Sequence, residues 1–164
     1  MKQILKNIIA LLVISLPLYS KAQVSRVIDG DTFEAIYNGQ KYKCRILNID
    51  APESKQAFGA EAKNKLQELL IGNAVIIESV KKDRYKRILV NVTAQGKRID
   101  SLMIREGFAW HYSDYSKDKE LAKYQEEAMV EKKGLWKCGK EAICPPWLFR
   151  HYTNPFRVRH CKGC

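Results

Sequence analysis

Residues 27–54 read VIDGDTFEAIYNGQKYKCRILNIDAPES, and the punctuation of this stretch decides the fold. Two β-favouring runs, 32–37 and 41–46, flank Asn38-Gly39, a pair that suits the left-handed backbone of a two-residue hairpin turn. A further short run at 24–28 precedes them. The same stretch gathers Asp29, Asp31, Asp50 and Glu53 around a single arginine, Arg45. Working outward, AFGAEAKNKLQELLIG places Phe58, Ala62, Leu66 and Leu69 at helical spacing, with Gly72 ending the pattern. Strands are expected at 74–78 and 87–93, joined by a basic loop around KKDRYK. A short helix follows, opened by Asp100 as N-cap and closed by Gly107, then a longer one over 119–132 with Leu121, Tyr124 and Ala128 inward. Five strands with a helix after the third is the order of a small α+β protein, mainly β: a five-stranded barrel of the oligonucleotide-binding (OB) type with three α-helices.

The chain has 164 residues and a formal net charge of +11, enough for one compact domain and pointing to a polyanionic partner. Residues 1–22 have a different character. MKQILKN is a basic start, IIALLVISLPL is an apolar core, and Ser20-Lys21-Ala22 offers small residues for cleavage, the pattern of a signal peptide. The apolar run falls short of the roughly 20 residues that span a bilayer. An uncleaved anchor is the alternative. Removing the three lysines of this segment from the formal +11 leaves +8 on the mature chain, so the basic character belongs to the folded domain. A secreted or periplasmic, monomeric protein without stable membrane association is expected.

Five cysteines lie in the exported part. Cys138, Cys144, Cys161 and Cys164 cluster near the end, where two local disulfides, Cys138 with Cys144 and Cys161 with Cys164, would staple a tail poor in core pattern. A zinc site is the sharper alternative, and Cys44 is left as a buried thiol.

The pieces IDGDT, CRILNIDAPES, FGAEAK, DRYKR and IREGFA, in this order and spacing, resemble the staphylococcal nuclease (thermonuclease) family over residues 24–136. The resemblance implies the same five-stranded barrel with three helices, within a nuclease domain over 23–147 followed by a basic tail over 148–164. It also implies Ca²⁺-dependent, sugar-nonspecific hydrolysis of phosphodiester bonds in DNA and RNA, leaving 3′-phosphates.

Such chemistry needs a hard cation, an activated water and fixed positive charge near the reacting phosphorus. Asp31, Asp50 and the backbone oxygen of Ala51 are the candidate Ca²⁺ ligands, since Ca²⁺ takes oxygen donors. Glu53, three residues beyond Asp50 and after the stiffening Pro52, is the candidate general base. Arg45 and Arg87 form the charge clamp, their planar forks matching phosphate. The family resemblance implies the same roles for all six. Asp29 has the turn reading, because Asp favours such positions. Tyr85, Tyr112 and Tyr115 are candidates for stacking on a base or bonding a phosphate, and Lys81, Lys82 and Arg84 for tracking the backbone, with core packing or a solvated loop as the plainer alternative.

Three departures from the family pattern stand out. Ala51 replaces a threonine, the SKQAF segment is shorter than in some members, and Lys86 replaces a glycine before Arg87. GLW retains the family's habit after the last helix, whereas PPW suggests an extended segment. Arg150, Arg157, Arg159 and Lys162 make the tail basic, as a surface tail or a secondary nucleic-acid contact. A noncatalytic OB-fold nucleic-acid-binding protein is the other reading; degenerate copies of this domain usually lose the acids and arginines that are all present here. A basic binder of membrane surfaces would leave the acids unexplained.

Overall fold

The computed structural model describes residues 22–139 and 144–152. Strands β1 (Gln23–Val27), β2 (Thr32–Tyr37) and β3 (Gln40–Ile46) form an antiparallel meander. Asn38 (φ 49°) and Gly39 (φ 74°) both adopt the left-handed backbone of the expected hairpin turn, with Tyr37 paired directly to Gln40. Strands β4 (Ile49–Asp50), β5 (Val75–Lys82), β6 (Ile88–Ala94), β7 (Lys97–Arg98) and β8 (Trp110–His111) follow. β6 pairs with β3 in parallel and with β5 antiparallel, so the main sheet runs β1-β2-β3-β6-β5.

The five principal strands appear in the expected order in a mixed sheet, but barrel closure does not. Among the described residues no ladder joins β1 to β5; β1 has five residues and its only ladder is with β2. A groove of about 950 Å³ lies on that side, reaching from buried Cys44 and Val90 to exposed Tyr37 and Ile76.

The helices are α1 (Gly59–Leu70), α2 (Ile99–Arg105), α3 (Lys119–Val130) and α4 (Pro146–His151), with a 3₁₀ turn at Gly134–Trp136. α1 buries Ala62, Leu66 and Leu70 against the sheet, while Leu69 is only partly buried. Asp118 caps α3 by accepting from the amides of Glu120 (3.0 Å) and Leu121 (3.4 Å). Asp100 does not cap α2 as expected. It lies within the first turn, where Arg98 donates to its Oδ2 at 2.7 Å and Asn48 at 2.9 Å. Its Oδ1 accepts from the Ser101 amide at 2.7 Å, so Asp100 serves the helix start from inside the first turn while Arg98 holds the N-cap position.

A fourth helix corrects the three expected. Pro146 stands at its first position, where proline's fixed φ favours a helix and its missing N–H is not needed. The PPW segment is therefore helical at its end, not extended. The main core joins Phe33, Ile46, Ile49, Leu66, Val90, Met103, Ile104 and Leu121; a second cluster of Trp110, Ala128, Leu135 and Trp136 packs with Trp147 of α4. No helix among the described residues is long and apolar enough to cross a membrane. The proposed signal peptide, Cys161 and Cys164 lie outside the described residues apart from Ala22.

Candidate active site

Strand register assembles the acids. The Asp31 carbonyl accepts from the Ile46 amide at 2.8 Å, extending the β2–β3 ladder by one step, and Thr32 sits opposite Arg45. Asp31 is thereby placed beside Arg45. Asp50 arrives from β4, where it pairs with Trp110 of β8. Arg45 then bridges the two half-sites, one guanidinium nitrogen on Asp31 and the other on Asp50 Oδ1 at 2.8 Å.

Both carboxylates are buried, at 3% and 0% exposure, so each needs its partners. Asp31 also accepts from Thr32 Oγ1 at 2.8 Å and from the Ala51 amide at 2.9 Å. Burial opposes its charge, but Arg45 and these hydrogen bonds outweigh it and hold the Asp31 carboxyl below the usual carboxylate range. Burial likewise works against the Arg45 charge, and Asp31 and Asp50 overcome it and push the guanidinium pKa upward. The Asp29 carboxylate accepts from the Asp31 amide at 3.2 Å, as a turn residue does. Burial, followed by the negative charge of Asp31, pushes Asp29 up to about 7. Asp29 is thus a turn residue that is also electrically joined to the site.

Glu53 stands at the mouth, half-buried. Its loop is fixed by Gln56, which accepts from the Glu53 amide at 3.1 Å and donates its own amide to the Glu53 carbonyl at 2.8 Å. Gly59 at the start of α1 lies against the same carbonyl; a Cβ there would stand 2.1 Å from the Glu53 oxygen. Only glycine lets α1 approach so closely.

Arg87 is held apart from this group. Its Nε donates to Asp83 Oδ2 at 2.8 Å, and the Asp83 Oδ1 accepts from the amides of Tyr85 and Arg87, both at 2.9 Å. Arg45 pairs in register with Leu89 of β6, and Arg87 lies just before the start of that strand, which puts the two arginines on neighbouring chain segments. Lys81, also paired with Leu89, shares the Arg45 face of the sheet, whereas Lys82, paired with Ile88, belongs to the other. Both lysines are in β5 rather than in a loop, because the strand runs four residues past its expected end through a bulge between Ser79 and Lys81. Lys86 adopts φ 64°, the conformation that favours the glycine it replaces.

The tyrosines divide. Tyr85 (63% exposed) lies under the guanidinium groups of Arg84 and Arg87, and Tyr115 (76% exposed) leans on Tyr112 with ring centres 4.6 Å apart. Tyr112 is half-buried near Asp50; burial first, then the Asp50 charge, raise its pKa.

Two residues escaped the sequence reading of the site. Arg150 of α4 reaches Asp50 by Nη1 to Oδ1 (3.1 Å) and Nη2 to Oδ2 (2.8 Å), and Nη1 also reaches Glu53 Oε1 at 2.8 Å. It is a site residue, not a tail cation. The available signal was the Pro-Pro preceding Trp-Leu-Phe-Arg, a helix start that would turn Arg150 back toward the body. Gln56 was missed as well; besides holding Glu53, its amide nitrogen donates to the Cys144 carbonyl and ties the Glu53 loop to the approach of α4. Cys138 and Cys144 are both disulfide-bonded, so neither offers a thiolate to zinc. Cys44 is a buried free thiol, its pKa pushed up to about 11 by burial.

The donor set suits a hard cation: two buried carboxylates brought together by register. No group of three or more His, Cys, Asp or Glu side chains forms a metal cluster among the described residues, so any cation here leans also on backbone oxygen and water.

A family model described as staphylococcal nuclease homologue matches residues 43–138, more than half of the chain. The chain belongs to the staphylococcal nuclease family. Curated members of this family include an uncharacterized endonuclease of Escherichia coli, 39% identical over 130 residues that cover 79% of this chain and 84% of the relative. A micrococcal nuclease of Shigella flexneri is 35% identical over 156 residues, covering 87% of this chain and 88% of the relative. An uncharacterized endonuclease of Haemophilus influenzae is 39% identical over 115 residues, covering 70% and 65%. The staphylococcal nuclease match begins at Lys43 and ends at Cys138, so Asp31 and α4 both lie outside it.

Proposed function

We propose that this nuclease of the staphylococcal family is an exported, Ca²⁺-dependent endonuclease that hydrolyses DNA and RNA without preference for the sugar and leaves 3′-phosphates. The observation that carries the reading is the Asp31–Arg45–Asp50 bridge with Glu53 at its edge. The family relationship and the endonuclease names of its relatives support it.

Asp31, Asp50 and the Ala51 carbonyl would hold the cation. Bound there, Ca²⁺ would place positive charge on a phosphate oxygen and lower the cost of charge gathering at phosphorus. Glu53 orients a water and accepts its proton as the oxygen attacks phosphorus in line. The 5′-oxygen leaves on the opposite side and takes up a proton. Arg45 and Arg87 donate to the phosphate oxygens, more strongly as charge develops. Lys81, Arg84 and the exposed Tyr85 and Tyr115 flank the strand, the cations on its phosphates and the rings on its bases. The basic mature chain draws the polyanion in. The leader at residues 1–22 would direct export to the periplasm or the medium.

The test is digestion of single-stranded DNA and of RNA by the mature protein with Ca²⁺, with EDTA, and after Glu53→Gln. Cleavage of both substrates that EDTA abolishes and Glu53→Gln cuts by at least about 10²-fold is expected. A wild type that binds nucleic acid but cuts neither substrate would make it a binding protein; full activity in EDTA would remove the cation from the reading.

A further inference from the structure

We propose that Arg150 is a built-in, exchangeable cation of this site: its guanidinium occupies both oxygens of Asp50, a ligand the divalent cation would need, and α4 lifts when the cation binds. The inference rests on the cation reading above and concerns an element outside the family match.

The acceptors of the site are already engaged. Asp31 receives Thr32, Arg45 and the Ala51 amide; Asp50 receives Arg45 on one oxygen and Arg150 on both. A dication seated on Asp50 would therefore crowd two guanidinium groups, and losing one of them relieves much of that like-charge repulsion. The two arginines differ in how firmly they are held. Arg45 is fixed in the middle of the sheet, with its side chain 13% exposed, and it joins both half-sites. Arg150 rides on a six-residue helix, with its side chain 40% exposed. Arg150 is the one that leaves.

The mounting of α4 fits a hinged part. The disulfide at Cys144 anchors the chain two residues before Pro146. Beyond it, Trp147 rests on Tyr112 with parallel rings 6.5 Å apart and meets the edge of Trp110 at 6.2 Å. A helix this short has little cooperativity of its own, so its position depends on those ring contacts and on the Arg150 ion pairs. Removing the ion pairs by cation exchange weakens that hold.

Exchange lowers apparent cation affinity by the fraction of molecules with α4 already lifted. Calorimetric titration of Ca²⁺ alone into the purified, disulfide-intact mature protein and into Arg150→Ala and Arg150→Gln tests this. Both variants should bind Ca²⁺ about tenfold or more tightly than wild type. Hydrogen exchange of the amides of residues 146–151 in wild type should quicken when Ca²⁺ saturates the site. Unchanged or weaker Ca²⁺ binding in both variants overturns the exchange, as does α4 protection that Ca²⁺ leaves unaltered. Ca²⁺ uptake by none of the three proteins removes the cation reading and the exchange together, whereas equal uptake by all three removes the exchange alone.

Discussion

The Asp31–Asp50 site and the basic arm from Lys81 to Arg87 are built in opposite ways. In the first, two carboxylates with almost no exposure depend on partners from β2, β3, β4 and α4. In the second, Lys81, Lys82, Arg84, Tyr85 and Lys86 are exposed, and the turn is closed locally by Asp83 within four residues of Arg87. A buried charge forces cooperation between distant segments, because leaving it unpaired costs several kcal/mol. An exposed charge is screened and needs no partner. In the proposed function, chemistry therefore resides where the fold is stringent, and substrate tracking where it is permissive.

The largest break in this contrast should come from Arg45→Ala. It leaves Asp31 and Asp50 buried without their shared partner, so urea denaturation should show a loss of about 3–5 kcal/mol. Phosphodiester cleavage should fall by about 10²–10³-fold or more in the same protein. Arg45→Lys should restore stability better than rate, since an ammonium cannot reproduce the two-pronged bridge.

Gly59→Ala separates positioning from ion pairing within the site. The added methyl meets the Glu53 carbonyl, and the strain should cost about 1–3 kcal/mol in thermal or chemical melts. Single-turnover cleavage should drop while the KM for an oligonucleotide changes little, because the substitution moves Glu53 and leaves the arm untouched.

In the arm the effects should be smaller and of another kind. Lys86→Gly relieves the left-handed backbone at φ 64° and should raise stability by about 0.5–1 kcal/mol. A lower melting temperature for that variant would show that the Lys86 side chain has a role its backbone does not reveal. Lys81→Ala should reduce the slope of log affinity for single-stranded DNA against log salt by about 0.7, while Lys82→Ala, on the other face of β5, should leave it near the wild-type value. Both lysine variants should stay within about 0.5 kcal/mol of wild-type stability. Equal salt slopes for the two would mean that the sheet face does not guide the strand.

The hairpin at Asn38-Gly39, the α1 pattern and the Asp31, Asp50, Glu53 and Arg45 constellation were legible because each rests on local spacing or on a motif order shared with the family. Turn residues declare backbone conformation directly, and apolar periodicity declares which face is buried. Asp100 misled because α2 starts one residue earlier, at Ile99, and its side chain answers to Arg98 and to Asn48, the latter 52 residues away, as well as to the Ser101 amide. The length of β5 was misjudged since lysines at 81 and 82 resemble a loop until the ladder with β6 is seen.

By itself, then, the sequence determined the order of the main strands and helices and singled out the residues proposed to hold a cation, activate water and clamp a phosphate. The tertiary structure decided which of them meet. It set Arg45 as the bridge between half-sites, left Arg87 with Asp83, drew Asp29 into the electrostatics of Asp31, and brought Arg150 across 100 residues of chain to Asp50. The reason is the range of the forces. Propensity and periodicity act over a turn or a strand, whereas a buried carboxylate takes whichever cation the folded chain delivers to it.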